Sequence, residues 1–246
     1  MPLRCVYTDL DGTLLGRGGS LFRDGDGAFT LLPGRALEAC HRAGVEVVIK
    51  SGRRKAQVME DARLIGQTSY IYELGAGLVI DGEETLMTGD LRPEEGRSVH
   101  DQIEESGAPA LLLGRFELEH HEPFHTGRQV THLFRGRVDV REANELLEAE
   151  GHGGLRLVDN GSSAYHLVPA GTSKANAVAA HMRAREYRPE ECIGVGDSRE
   201  DLEVAKVVGR FFLVRNAEVS GEGAEVTESG YGEGFYEAVI RSLAEA

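Results

Sequence analysis

Cysteine is scarce in this chain, and positive charge is in deficit. Cys5, Cys40 and Cys192 are the three thiols, and none sits in Cys-x-x-Cys spacing, so they read as buried, inert and reduced. Against 41 Asp and Glu there are 27 Lys and Arg, a net charge of −14. Nucleic acid and anionic membranes both need a basic footprint and are not expected as partners. No basic segment leads into a long apolar one near the start, and no apolar run approaches the ~20 residues that span a bilayer. The expectation is a soluble, cytoplasmic protein. Internal repeats and low-complexity linkers are also missing, although the Gly-rich stretches Gly16 to Gly27 and Ser220 to Gly234 read as loops.

What is present is a chain of 246 residues, 41% hydrophobic, enough for one large or two modest domains. Four short segments stand out: Asp9-Leu10-Asp11-Gly12-Thr13, Ser51-Gly52-Arg53, Lys174 in Gly-Thr-Ser-Lys, and Gly196-Asp197-Ser198-Arg199-Glu200-Asp201. Three of them follow apolar strands, at Leu3 to Tyr7, Val45 to Ile49 and Cys192 to Val195. Strand ends of an open α/β sheet face one crevice. Carboxylates gathered there repel one another unless a cation and a lysine are also present. That is the composition of a Mg²⁺-dependent phosphoryl-transfer site.

In this order the four segments resemble the motifs of the haloacid dehalogenase (HAD) phosphohydrolase superfamily. The βα alternation over residues 1–80 weakens after Gly75 and returns near Ala164. A core interrupted there is similar to the Cof-like IIB subfamily with a C2 cap. The fold expected is α/β: a Rossmann-like parallel core over residues 1–82 and 162–246, with an inserted α+β cap over 83–161. Two departures from the IIB pattern are Glu200-Asp201 in place of Asn-Asp, and Glu73-Leu74-Gly75-Ala76 in place of Glu-Asn-Gly-Ala.

The resemblance assigns chemistry residue by residue. Asp9 is the expected nucleophile, forming an aspartyl-phosphate; the bland alternative is a carboxylate capping a turn. Asp11, two residues on and on the same face, is the expected general acid and base. Gly12, Ser51, Gly52 and Lys174 are expected around the phosphoryl group, although Ser51 could be an ordinary N-cap and Lys174 a surface lysine. Asp9, Asp197 and the backbone carbonyl of Asp11 are expected to hold Mg²⁺, with Asp201 orienting the loop.

The cap region carries Glu119-His120-His121-Glu122-Pro123-Phe124-His125, then Arg128, His132, Arg135 and Arg137. Zinc, a solvated hairpin and a substrate-facing surface are all open readings. On the last, Arg128 and His132 are alternate strand positions that would share a face toward the substrate. The expected function is hydrolysis of a small phosphorylated metabolite, such as a sugar phosphate. Open alternatives are a phosphomutase-type transferase, a mannosyl-3-phosphoglycerate phosphatase and a catalytically quiet binding protein.

Overall fold

The computed structural model describes residues 2–161 and 164–245. The chain begins with β1 (Cys5–Thr8), α1 (Leu32–Arg42), β2 (Glu46–Lys50), α2 (Lys55–Leu64), β3 (Tyr70–Tyr72), β4 (Gly77–Ile80) and β5 (Glu83–Leu86). A second group follows: α3 (Val99–Glu105), α4 (Ala108–Arg115), β6 (Glu117–His120), β7 (His132–Arg137), α5 (Val140–Ala149), β8 (Leu155–Asp159) and β9 (Ala164–Pro169). The chain ends with α6 (Lys174–Ala184), β10 (Cys192–Gly196), α7 (Arg199–Leu202), β11 (Arg210–Leu213), β12 (Ala224–Val226) and α8 (Tyr231–Ala244).

Eight strands form one sheet in the order β12-β11-β10-β1-β2-β3-β4-β5, parallel as far as β3 and antiparallel beyond it. Alternate side chains of the central strands bury on opposite faces, which is why these strands read as continuous apolar runs. Val6, Val47, Ile49 and Phe212 pack with Ala36 and Cys40 of α1, Val58 of α2 and Phe235 of α8. Tyr7, Val48 and Phe211 pack on the other face, with Ala177 and Met182 of α6. All three cysteines are buried and free.

The second sheet is antiparallel, in the order β6-β7-β9-β8. One face, with Phe134, Leu157 and Leu167, packs on Val99 and Ile103 of α3, Leu112 of α4 and Leu147 of α5. The opposite face carries Val158 and Val168, which pack on Leu74 of the larger unit. The architecture is therefore α/β, with a mostly parallel sheet between helices and a smaller α+β unit inserted in it.

Several segments depart from the sequence expectation. Glu83–Leu86 pairs with β4 at the edge of the large sheet, so the insertion begins after it. Ala164–Pro169 was expected to rejoin the parallel core, but pairs with β7 and β8 in the small sheet. Its alternation Ala-Tyr-His-Leu-Val-Pro buries one set of side chains in the cap core and the other against the large unit, so it looks like a two-sided core strand. Leu111 to Leu118, apolar enough to read as a strand from sequence, is mostly helical instead: α4 runs to Arg115, because Pro109 fits the first helical turn and three leucines continue it. The expected boundary at 161/162 abuts Ser162, which lies outside the described residues.

Candidate active site

The strand order places the segments that carry chemistry side by side. β10, β1 and β2 are parallel neighbours, and Asp197, Asp9 and Ser51 each follow directly on their carboxyl ends. Lys174 opens α6 behind its N-cap Ser173. Its entry is set by Gly75, at φ +92°, where an added Cβ would lie 2.2 Å from the Ser173 carbonyl oxygen. Only glycine fits so close an approach in that conformation.

Lys174 Nζ lies 2.8 Å from Asp9 Oδ1 and 2.8 Å from Asp201 Oδ1. The same Asp201 oxygen accepts from Lys50 Nζ at 2.6 Å, and Lys50 also donates to the Val195 carbonyl at 3.1 Å. All four side chains are nearly or fully buried. The other oxygen of Asp201 accepts from Ser198 Oγ at 2.6 Å and from the Ser198 amide at 3.2 Å. Burial would push Asp201 up, but Lys174 and Lys50 hold it well below the usual carboxylate range. Burial also opposes charge on Lys174, yet Asp201 and Asp9 keep it protonated well above its ordinary value. Asp9 moves the other way: burial pushes it up, Lys174 pulls it down, and the charges of Asp201 and Asp197 add to the rise, which prevails.

Asp197 accepts from Thr13 Oγ1 at 2.8 Å. Gly12, at φ +83°, lies beneath it, where a Cβ would sit 2.3 Å from Asp197 Oδ2. The Gly12 carbonyl is held by Asn216 Nδ2 at 2.9 Å. Burial, followed by the charge of Asp201, raises Asp197 as well. One oxygen each of Asp9, Asp197 and Asp201 lie within 4.8 Å of one another. Two oxygen donors whose ionised forms are disfavoured by their surroundings fit a hard divalent cation such as Mg²⁺, with Asp9 and Asp197 as the side chains that would hold it. Asp201 has both oxygens engaged.

The Asp11 carboxylate makes its contacts outside this cluster. It is clamped by Arg53, with Nε to Oδ2 at 2.7 Å and Nη2 to Oδ1 at 2.6 Å, while Arg53 Nη1 reaches Asp61 at 2.9 Å. Ser51 is buried and its Oγ accepts from the Arg53 amide at 3.2 Å. Ser51 is not a helix N-cap, since α2 starts after Arg54.

The inserted unit is fastened over the crevice by named polar contacts. The buried Glu73 carboxylate accepts from the amides of Gln129, Val130 and Thr131 at 2.9, 3.1 and 2.7 Å. Arg156 of β8 reaches Glu200 at 3.3 Å and the Thr172 carbonyl at 2.7 Å. Both departures from the IIB pattern thus fall on or beside residues that contact the inserted unit. Leu74, the second, packs on Val158 and Val168.

The two expected substrate contacts in this unit need correction. His132 pairs with Leu167 across the strands, on the face turned toward α3, and is fully buried there. Arg128 precedes β7 and shares no strand face with it. Its guanidinium donates to the carbonyls of Gly52 and Phe124, both at 3.0 Å, and to Thr131 Oγ1 at 2.9 Å. The face that does look at the crevice carries Leu133, Val158 and His166. A Cβ on Gly52 would lie 3.1 Å from Asn160 Nδ2 and 3.4 Å from His166 Nε2. His166 is buried, and its Nδ1 has no hydrogen-bond partner among the described residues.

Sequence reasoning missed Lys50, Arg53 as the Asp11 partner, Glu73 as a latch, Asn216 and His166. Only Lys50 carried a signal: a lysine ending the apolar strand Glu-Val-Val-Ile-Lys has no solvent to reach unless something buried pairs with it.

The family profile described as haloacid dehalogenase-like hydrolase matches residues 126–221. Phosphoglycolate phosphatases of Methanoculleus marisnigri and Archaeoglobus fulgidus are 29% and 28% identical, over 96% of this chain and 95% of each relative. A solved Thermoplasma acidophilum structure superposes with a TM-score of 0.75 at 18% identity, covering 98% of this chain and 99% of that one. The sucrose-phosphatase of Synechocystis, solved with sucrose and phosphate, gives 0.70 at 15% identity and 98% of both chains. A parallel sheet whose neighbouring strands end in Asp9, Ser51 and Asp197 is thus joined to a fold shared with these solved structures and to sequence likeness to phosphatases along nearly the whole length, and the segment 126–221 is similar to the haloacid dehalogenase-like hydrolases.

Proposed function

We propose that the chain is a Mg²⁺-dependent phosphatase acting on a compact, carboxylate-bearing phosphomonoester such as phosphoglycolate. The observation that carries the reading is Lys174 bridging Asp9 and Asp201 at the strand ends. Lys174 occupies one oxygen of Asp9 and leaves the other to attack phosphorus. The bond from phosphorus to the ester oxygen breaks, and that oxygen takes its proton from Asp11. Asp11 then removes a proton from water, whose oxygen attacks the aspartyl-phosphate, releasing phosphate and restoring Asp9. Bound Mg²⁺ supplies charge neutralisation for the phosphoryl oxygens.

Arg53 must release Asp11 for the first proton transfer. An entering phosphoryl group beside Ser51 and Gly52 offers Arg53 another anion. The Ser51 hydroxyl and the Gly52 amide, with Lys174, supply the remaining donors. For the leaving group, His166 and Asn160 stand over Gly52, in a region made positive by Arg128 and Lys174. That environment suits a carboxylate, which agrees with the names of the relatives. Free, buried thiols suit a reducing cytoplasm.

The test is phosphate release from phosphoglycolate, sugar phosphates and a generic aryl phosphate with Mg²⁺. The expected result is kcat/KM for phosphoglycolate at least about tenfold above neutral sugar phosphates, a preference of about 1.4 kcal/mol. Transfer of phosphate to a second sugar without release would indicate a mutase. Binding without turnover would indicate a quiet binding protein.

A further inference from the structure

We propose that the inserted unit holds a transition-metal ion, with His100 and Glu104 of α3 and His132 of β7 as its ligands and His125 joining them on binding. The site lies on the face of the small sheet away from the crevice, separate from the carboxylate cluster. His100 and Glu104 are four apart, so they share one face of α3. His132 meets that face: its ring stacks on His100 with centroids 3.8 Å apart, and its Nδ1 is 3.4 Å from Glu104 Oε2.

Hydrogen bonding fixes which nitrogen each ring can offer. His100 Nδ1 lies 3.0 Å from the Thr131 carbonyl oxygen, which can only accept, so the proton is on Nδ1 and the lone pair on Nε2. His132 Nε2 lies 3.1 Å from the His100 carbonyl oxygen, which leaves the lone pair on Nδ1. A ring anchored through its outer nitrogen to a backbone carbonyl is the usual support of a metal-bound histidine. His132 Nδ1 is buried and has no hydrogen-bond partner among the described residues. A buried acceptor left unpaired is costly, and a bound cation removes that cost.

One ring nitrogen each of His100, His125 and His132 lie within 4.8 Å of one another. Zinc–nitrogen bonds of about 2.0–2.1 Å require closer approach, so side chains must contract around the ion. His125 now accepts the Leu133 amide through Nδ1 at 3.2 Å, which puts its proton on Nε2. It becomes a ligand by turning its ring over and giving up that one bond. Burial, with the neighbouring imidazoles, holds His132 and His125 below the ordinary histidine range, so the rings are unprotonated at neutral pH and free to bind metal.

Three imidazoles and one carboxylate suit Zn²⁺, Co²⁺ or Ni²⁺, whereas Mg²⁺ prefers an all-oxygen set. His-x-x-x-Glu on a helix, with the other two histidines on a separate loop and strand, matches no standard sequence spacing, which is why the pattern is visible only in three dimensions. The ion would tie α3 to β7 and stiffen the inserted unit.

The experiment is zinc binding to metal-stripped, untagged full-length protein under saturating Mg²⁺, which keeps the carboxylate cluster filled. Wild type should bind one Zn²⁺ per chain and melt at higher temperature with it. Co²⁺ in its place should give the visible absorption of a nitrogen-rich, low-coordinate site. Glu104→Gln removes a half-exposed carboxylate and leaves packing intact; it should weaken Zn²⁺ at least about tenfold. His132→Ala should abolish the bound equivalent. If His132→Ala does not fold, Glu104→Gln and His100→Gln decide the matter. No Zn²⁺ bound under these conditions, or equal affinity and stoichiometry in wild type and both exposed-side variants, overturns the proposal.

Discussion

Lys50 and Lys174 donate to the same oxygen of Asp201, at 2.6 and 2.8 Å. One buried carboxylate thus anchors two ammonium groups, and the second of them is held against Asp9. The arrangement leaves Lys174 fixed in place without spending its whole charge on Asp201.

Replacing Asp9 by Asn removes the attacking charge and nearly preserves volume. Phosphate release should fall by several orders of magnitude while the melting temperature stays close to wild type. A purified variant that retains a tenth of the activity would rule Asp9 out as nucleophile.

Mg²⁺ should be required absolutely. Asp9 and Asp197 are both pushed above the usual carboxylate range by burial and by neighbouring carboxylates, and a cation reverses that. Exhaustive chelation should abolish turnover and Mg²⁺ should restore it; undiminished activity after chelation would contradict the assignment.

Lys50→Met tests the shared anchor. The Lys50 charge lowers the Asp9 pKa, so its loss raises it. The acid limb of kcat/KM should therefore move to higher pH, with kcat reduced about tenfold or more. A pH–rate profile superimposable on wild type would mean that Lys50 only fills space.

His166 and Arg128 should separate by substrate. His166→Ala should raise KM for phosphoglycolate about tenfold and leave a small aryl phosphate nearly unaffected, equivalent to about 1.4 kcal/mol. Arg128→Ala frees the Gly52 carbonyl, in the loop proposed to hold the phosphoryl group, so both substrates should suffer alike. Steady-state kinetics on the two substrates would expose the reverse pattern at once.

Acid should weaken the inserted unit before it reaches the carboxylates. His125 and His132 sit at about 4 and about 3, both below the ordinary 6.5, chiefly through burial and neighbouring imidazoles, and Glu122 and Glu104 face them. A depressed histidine contributes stability that is present above pH 6.5 and lost as pH falls toward the folded value, because the unfolded chain binds the proton first. Asp9 and Asp197, raised in the fold, titrate with the opposite sign. The clean measure is therefore the difference between wild type and His125→Asn. Between pH 7 and 4.5 the wild-type melting temperature should fall further than that of the variant, by on the order of several degrees.

Much of the core was legible because its chemistry sits where strands stop. An acidic or hydroxyl residue directly after an apolar run has one place to go in a parallel sheet, and Asp9, Ser51 and Asp197 all went there. The inserted unit was less legible because alternation reveals that a strand has two faces but not which neighbour each face meets. His132 and Leu133 are adjacent, yet one looks into the helices and the other toward the crevice. His166 read as an ordinary strand residue for the same reason. Glu73 gave no sign of its role, since its partners are backbone amides that carry no sequence signature.

Those amides have a kinetic consequence. Glu73 belongs to the large unit, and Gln129, Val130 and Thr131 to the inserted one, so parting the two units breaks a set of charge-assisted bonds together and leaves a carboxylate to be rehydrated. The contact is expected to work as a bolt that is either home or drawn. Substrate would enter and phosphate leave only in the drawn position, and shortening the bolt, as in Glu73→Asp, would change how often the door opens while leaving the reacting groups as they are.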